Sequence, residues 1–137
     1  MDYIIVKNNQ SIPLSQIPVL DYQRFYELNL GLVTDNPSLH CVNYYGYQTD
    51  KCIQLFCVMA DDSADDSAES SAGDIYLSSC EVLTTDVLAS MSEKKLCFEK
   101  FEREIHENFG ILFTGHPWLK PVRYAHNRAD LSKTIAN

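Results

Sequence analysis

Residues 52–60 read CIQLFCVMA, and every position except Gln54 is apolar. Both alternating sets of side chains are hydrophobic, which is typical of a central strand covered on both faces of its sheet. Residues 39–47 before it and residues 75–83 after it also contain β-branched and aromatic side chains. We therefore predict a hairpin of residues 39–47 with 52–60, followed by a third strand antiparallel to the second.

The connection from residue 61 to residue 73 is acidic and has no aromatic or branched aliphatic residue. Residues 61–74 contain six carboxylates without Lys or Arg, so they supply six of the eight net negative charges. Because this stretch has little to bury, residues 61–73 are predicted to form a flexible acidic loop. The carboxylates lack an EF-hand arrangement, which does not favour calcium. A net charge of −8 disfavours nucleic acid and anionic lipid as ligands.

The first third of the chain is predicted to add a strand and a helix. Residues 3–7 read YIIVK, a short β-branched run. Asp21 is a suitable N-cap for a helix that would run to about Leu30. Gly31 then provides a left-handed residue that could end this helix.

Two further helices are predicted after the third strand. Thr84 or Thr85 can cap a short helix that runs through Met91. A stronger amphipathic helix follows, and Gly110 is placed to end it. Its apolar stripe has a spacing of three and four residues: Phe98, Phe101, Ile105 and Phe109. The predicted elements thus include both strands and helices.

Length and composition indicate one globular domain of 137 residues, of which 45% are hydrophobic. No run approaches the roughly 18 apolar residues that a membrane-spanning helix needs. Met1 is followed by an acidic residue instead of a basic leader region. We therefore expect a cytoplasmic protein that reaches a membrane only through partner subunits.

The five cysteines are predicted to be free thiols and not ligands of a metal. No two of them have the CxxC spacing of zinc and iron–sulfur sites. The chain also has neither a GxGxxG sequence nor a P-loop. We expect no cofactor of its own.

Residues 102–120 read EREIHENFGILFTGHPWLK. This stretch resembles the signature of the thirty-kilodalton subunit of NADH dehydrogenase (complex I). In that family an ERE triplet precedes an acidic residue, an FGI-like turn and a GHP-x-L-basic run. The version here is most similar to the corresponding module of membrane-bound nickel–iron hydrogenases and formate hydrogenlyases. It departs from the family pattern at Asn108 and at Arg123.

The resemblance implies an α+β fold, with a small mixed or antiparallel sheet and helices packed on one face. This domain would comprise residues 1–117, followed by an extended basic tail in residues 118–137. It implies a non-catalytic assembly subunit that sits beside the catalytic large subunit and the iron–sulfur subunit of a complex-I-like oxidoreductase. Such a protein would lie on the cytoplasmic side of the membrane and associate with it peripherally. The tail has four basic residues against Asp130, which gives it a charge of +3.

The residue types in the motif also favour a protein interface over a small-ligand site. Three consecutive charged residues, Glu102 to Glu104, fan around the helix and cannot all contact one small molecule. Aromatic and arginine side chains in an extended segment are typical interface anchors. The predicted interface comprises Glu102, Arg103, Glu104, His106, Glu107, His116, Trp118, Lys120 and Arg123.

Other interpretations of the same residues remain open from sequence. The helix face could simply be solvated and carry weak ion pairs, and the tail could fold back on its own domain. Glu102 and His106 are four residues apart, so they could share a metal or act as an acid–base pair, although further ligands are not evident. The chain could also be a stand-alone binding or regulatory module that contacts its partner through the acidic loop.

Overall fold

The computed structural model describes residues 2–7, 10–62 and 73–120. In these residues a five-stranded sheet, a separate two-stranded sheet and two α-helices are present. Short 3-10 helices at Leu14–Gln16 and Leu96–Phe98 complete the secondary structure. The main elements in chain order are β1 (Ile4–Lys7), β2 (Val19–Leu20), α1 (Tyr22–Asp35), β3 (Leu39–Gln48), β4 (Ile53–Asp61), β5 (Asp74–Val82), β6 (Val87–Ala89), α2 (Glu99–Phe109) and β7 (Leu112–Thr114).

The large sheet has the order β1-β5-β4-β3, and its three long strands form an antiparallel meander. β1 pairs with the first half of β5 in the antiparallel sense, and β2 pairs with Ser79 and Cys80 of β5 in the parallel sense. The sheet is therefore mixed. The predicted hairpin, the third strand and the N-terminal strand are all confirmed.

Both helices pack against the same face of this sheet. On that face Tyr44 of β3 is paired with Cys57 of β4, which in turn is paired with Ser78 of β5. The ring of Tyr44 lies 5.8 Å from Phe25 of α1 and 6.3 Å from Phe98, which directly precedes α2. These aromatic contacts join the two helices across one strand, and the predicted α+β class with helices on one face is confirmed.

β4 is the central strand that its sequence predicts. One set of its side chains is buried beneath the helices and comprises Ile53, Leu55, Cys57 and Met59. On the opposite face Phe56 is also buried, and its ring stacks 5.4 Å from Tyr45 of β3. The other residues of that face, Gln54, Val58 and Ala60, are only partly buried, so the prediction of a strand covered on both faces holds in full only for the helix side.

Helix α1 begins as predicted but ends later. The carboxylate of Asp21 accepts a hydrogen bond from the backbone N–H of Arg24 at 2.8 Å. The prediction that Gly31 ends the helix is wrong, because α1 continues to Asp35. Leu32 and Val33 still pack against the core beyond the glycine. Their burial offsets the cost of about 1 kcal/mol for a glycine inside a helix.

The predicted helix from Thr84 or Thr85 to Met91 is also wrong. Residues Val87–Ala89 form β6, which pairs in parallel with β7. The backbone hydrogen bonds that stabilise β6 come from a strand more than twenty residues later, which local periodicity cannot reveal. The apolar residues Leu112 and Phe113 belong to β7.

The acidic connection begins one residue later than predicted and ends at residue 73 as predicted. Asp61 is the last residue of β4 and is only 7% exposed. The backbone N–H of Gly73 donates a hydrogen bond to the carbonyl of Asp61 at 3.1 Å, and Asp74 opens β5. Residues 63–72, for which the sequence predicts a flexible loop, lie outside the described residues. Among the helices that are described, none is long and apolar enough to cross a membrane.

Candidate functional site

Helix α2 and the six residues after β7 carry the motif of residues 102–120. The helix ends at Gly110, whose φ of 77° is the left-handed conformation predicted for it. The six residues that follow β7, 115–120, are called the exit segment below. It begins at Gly115 with a φ of 81°, and a Cβ there would collide with the carboxylate of Glu93. Glycine at this point allows the chain to turn back toward α2.

Arg103 joins the exit segment to the helix. Its Nε–H donates a hydrogen bond to the backbone carbonyl of Lys120 at 2.8 Å. Its Nη1 lies 3.0 Å from Oε1 of Glu99, one turn earlier on α2. Its guanidinium also lies 4.8 Å from the ring centroid of Trp118. The planar guanidinium therefore binds a carboxylate, a carbonyl and an aromatic ring together, which a lysine ammonium could not do.

His116 fixes the start of the exit segment. Its Nε2 lies 3.0 Å from the backbone carbonyl of Glu99, and its Nδ1 lies 2.9 Å from the backbone nitrogen of Trp118. Because the N–H of Trp118 can only donate, Nδ1 accepts, and the proton of the neutral ring must lie on Nε2. His116 thus acts as a structural bridge between α2 and Trp118.

Glu102 is fully buried and binds the turn after β6. Its Oε1 accepts hydrogen bonds from the hydroxyls of Ser90 and Ser92, and its Oε2 accepts one from the backbone N–H of Met91 at 2.9 Å. Burial raises the pKa of this carboxyl, and the hydrogen bonds from the two serines and the backbone partly offset that effect. The side chain has no surface with which a partner protein could make contact.

The two other polar residues at the inner side of the motif also contact their own chain. Glu107 is 0% exposed. Nδ1 of His106 lies 2.8 Å from the carbonyl of Ile111, so this ring caps the turn that follows α2. Glu102 and His106 therefore have separate partners, and this arrangement does not favour the shared metal or the acid–base pair considered from the sequence.

Eight of the nine predicted interface residues lie in the described part of the chain, and they fall into three groups. Glu102 and Glu107 are buried, which removes them from a direct partner contact in this structure. The partly exposed group comprises Arg103, Glu104, His106 and His116. Trp118, with 59% of its surface exposed, and Lys120 lie at the surface. Arg123 and the rest of the predicted tail, residues 121–137, lie outside the described residues.

The first residues of the predicted tail are not separate from the domain. Leu119 packs against the hydrophobic core, and Trp118 stacks on Arg103. The boundary predicted between residues 117 and 118 therefore divides a segment that the structure holds together. For residues 118–120 the fold-back alternative describes the geometry better than a detached tail.

The burial of Glu102 and its contacts with Ser90 and Ser92 were not predicted from the sequence. Glu102 occupies the apolar stripe of α2, between Phe98 and Ile105, at spacings of four and three. A charged residue in that position could have been predicted to be buried. Ser90 and Ser92 had no such signal, because they precede Glu102 by 12 and 10 residues in an irregular segment.

The cysteines do not form a reactive or metal-binding centre in the part of the chain that is described. Burial raises the pKa of Cys57, of Cys80 and of the more exposed Cys97, which disfavours the thiolate. Among residues 2–7, 10–62 and 73–120, no group of three or more His, Cys, Asp or Glu side chains could hold a metal ion.

No protein-family model matches this chain, and no curated protein sequence matches it. The resemblance to the thirty-kilodalton subunit of complex I rests on residues 102–120 alone and stays a prediction. Those residues fold into one connected unit of helix, turn and exit segment.

Proposed function

We propose that this chain is a non-catalytic assembly subunit of a complex-I-like electron-transfer oxidoreductase, either an NADH:quinone dehydrogenase or a membrane-bound nickel–iron hydrogenase or formate hydrogenlyase. In this proposal it docks the catalytic large subunit and the iron–sulfur subunit through the exit segment. It lies on the cytoplasmic side of the membrane and associates with the membrane only through its partners.

The main support for the proposal is that the motif residues hold an exposed tryptophan in a fixed position. Trp118 is 59% exposed although its ring stacks on Arg103 and its backbone N–H donates a hydrogen bond to Nδ1 of His116. Large aromatic residues that are both exposed and fixed in place are typical interface anchors. Fixing them before binding also reduces the entropy lost on association.

The roles of the other motif residues support a positioning function over a catalytic one. Glu102, His106 and His116 all have polar atoms engaged with groups of their own chain. A general acid or base must be able to reach the proton that it transfers in a bound substrate. These side chains instead hold the turn after β6, the turn after α2 and the exit segment in place.

The proposal is tested by purifying the tagged chain from detergent-solubilised membranes of its source organism and identifying co-purifying proteins by mass spectrometry. We expect the large subunit and the iron–sulfur subunit of one oxidoreductase in stoichiometric amounts. Recovery of the chain alone, as a monomer in the soluble fraction, would contradict the proposal and favour a stand-alone binding module. Trp118→Ala should lower this recovery. Val87→Ala is its matched control, because Val87 is also exposed, by 58%, on β6.

A further inference from the structure

Burial changes the charge of the surface around α2. Residues 93–120 contain five basic and five acidic side chains, so their sequence is neutral. However, Glu102 and Glu107 are both 0% exposed, and Glu99 is paired with Arg103. Buried and paired carboxylates contribute little to the field that an approaching partner meets. The exposed side chains of this region therefore carry a more positive net charge than the sequence of the region suggests.

Two exposed lysines, Lys120 and Lys100, are close in sequence to the residues of the Trp118–Arg103 stack. Lys120 follows Trp118 by two residues, and its carbonyl is bound by Arg103. Lys100 precedes Arg103 by three residues, which places it one turn away on the same side of α2. Within residues 2–7, 10–62 and 73–120, neither lysine takes part in an ion pair. We call Lys100, Trp118 and Lys120 the basic tryptophan patch.

The patch combines two kinds of recognition. One face of the indole of Trp118 is covered by the guanidinium of Arg103, while 59% of the surface of the residue stays exposed. The exposed part can enter an apolar pocket on a partner, and the flanking ammonium groups can pair with carboxylates at the rim of that pocket. Residues 1–92 are strongly acidic, since they contain 13 carboxylates and only three basic residues.

We infer that the basic tryptophan patch binds an acidic protein surface that contains an apolar pocket for Trp118. This inference rests on the proposed function, and it adds that the acidic surface belongs to the large subunit or to the iron–sulfur subunit. The acidic body of the chain disfavours other contacts with such a surface through like-charge repulsion. It thereby fixes the orientation in which the chain docks.

The test is zero-length cross-linking of the complex purified through the tagged wild-type chain. A carbodiimide joins a lysine amine directly to a carboxylate without a spacer, so it reports only groups in close contact. We expect Lys100 and Lys120 to be joined to Asp or Glu residues of a co-purifying oxidoreductase subunit. Lys51, which is exposed at the turn between β3 and β4, is the internal control and should not be joined to that subunit.

The possible results test the basic tryptophan patch and the proposed function independently. The expected cross-links to an oxidoreductase subunit support both, whereas the same cross-links to a different protein overturn the function and leave the patch standing. Recovery of the oxidoreductase subunits with cross-links only elsewhere on this chain overturns the patch alone. Absence of any co-purifying protein overturns both.

Charge reversal provides a second arm with a matched control. The double variant Lys100→Glu/Lys120→Glu should lower recovery of the partner subunit by roughly tenfold or more, because two attractive contacts become repulsive. Lys51→Glu reverses an exposed charge away from the patch and should leave recovery unchanged. Equal recovery with all variants would overturn the inference. Both lysines of the patch are exposed, so circular dichroism should show that the double variant remains folded.

Discussion

The two ends of the motif in residues 102–120 differ in what they contact. At its start Glu102 is buried and accepts hydrogen bonds from two serine hydroxyls and two backbone N–H groups. At its end Trp118 is 59% exposed and Lys120 lies at the surface. Arg103 lies between them and contacts the exit segment directly. A single motif thus contains an inner part that holds the fold and an outer part that is available to a partner.

A run of charged residues on a helix is therefore not by itself evidence of a docking surface. Glu102, Arg103 and Glu104 are consecutive, but helical geometry sends their side chains in directions about 100° apart. One of them enters the core, and the next lies under the exit segment. Exposure of the neighbouring backbone therefore says little about which charged residue a partner can reach.

The largest expected effect comes from removing the inner carboxylate. Glu102→Ala leaves two buried hydroxyls and the N–H of Met91 without their acceptor and creates a cavity, so the free energy of unfolding should fall by about 3 kcal/mol. Glu102→Gln keeps the volume and can still hydrogen-bond both serines, so its loss should be smaller. Chemical denaturation of both variants measures the difference. Wild-type stability in Glu102→Ala would show that the buried hydrogen bonds are not important.

In the outer part of the motif, a substitution should weaken partner binding more than it lowers the free energy of unfolding. Trp118→Ala should weaken recovery of the partner subunit by the equivalent of about 2 kcal/mol, as for other aromatic anchors. Its free energy of unfolding should change by less than about 1 kcal/mol, because the side chain is mostly exposed. Pull-down and denaturation of the same variant are compared. An equally large loss in both would mean that Trp118 is structural.

Arg103→Ala should affect both measurements, because Arg103 connects the two parts. Loss of its hydrogen bond to Lys120 and of its stacking on Trp118 should reduce the free energy of unfolding by about 1 kcal/mol. The released exit segment should also lower recovery of the partner. Arg103→Lys retains the charge but not the planar contacts, so it should resemble Arg103→Ala. Full rescue by lysine would indicate that charge alone matters.

Much of the sheet could be predicted from sequence, because its signals are local. The apolar run of β4 and the residues around it specify an antiparallel meander. β6 could not be predicted in this way, because its three residues are too few for a period and its partner β7 lies far along the chain. The predicted end of α1 is wrong for a different reason: packing of Leu32 and Val33 outweighs the local preference of Gly31.

The candidate site was predictable in part for the same physical reason. The left-handed Gly110 and the spacing of Glu99 and Arg103 are local, so both were available from sequence. The contacts of Glu102 with Ser90 and Ser92, and of Arg103 with Trp118, depend on how distant segments pack. Sequence located the motif, but only the packing separates its inner residues from its outer ones.

The smallest expected effect is a dependence of stability on pH through Glu102. Burial raises the pKa of this carboxyl in the folded chain, so the folded state holds the proton more tightly than the unfolded state does. Its contribution to stability is then fully present below the ordinary pKa of glutamate and is lost as the pH rises through the folded pKa. Glu102→Gln cannot titrate. The unfolding free energy of the wild type minus that of Glu102→Gln should therefore decrease as the pH rises above about 4, the ordinary pKa of glutamate. A difference that stays constant, or that increases with pH, would show that the hydrogen bonds from Ser90, Ser92 and Met91 outweigh the burial of the charge.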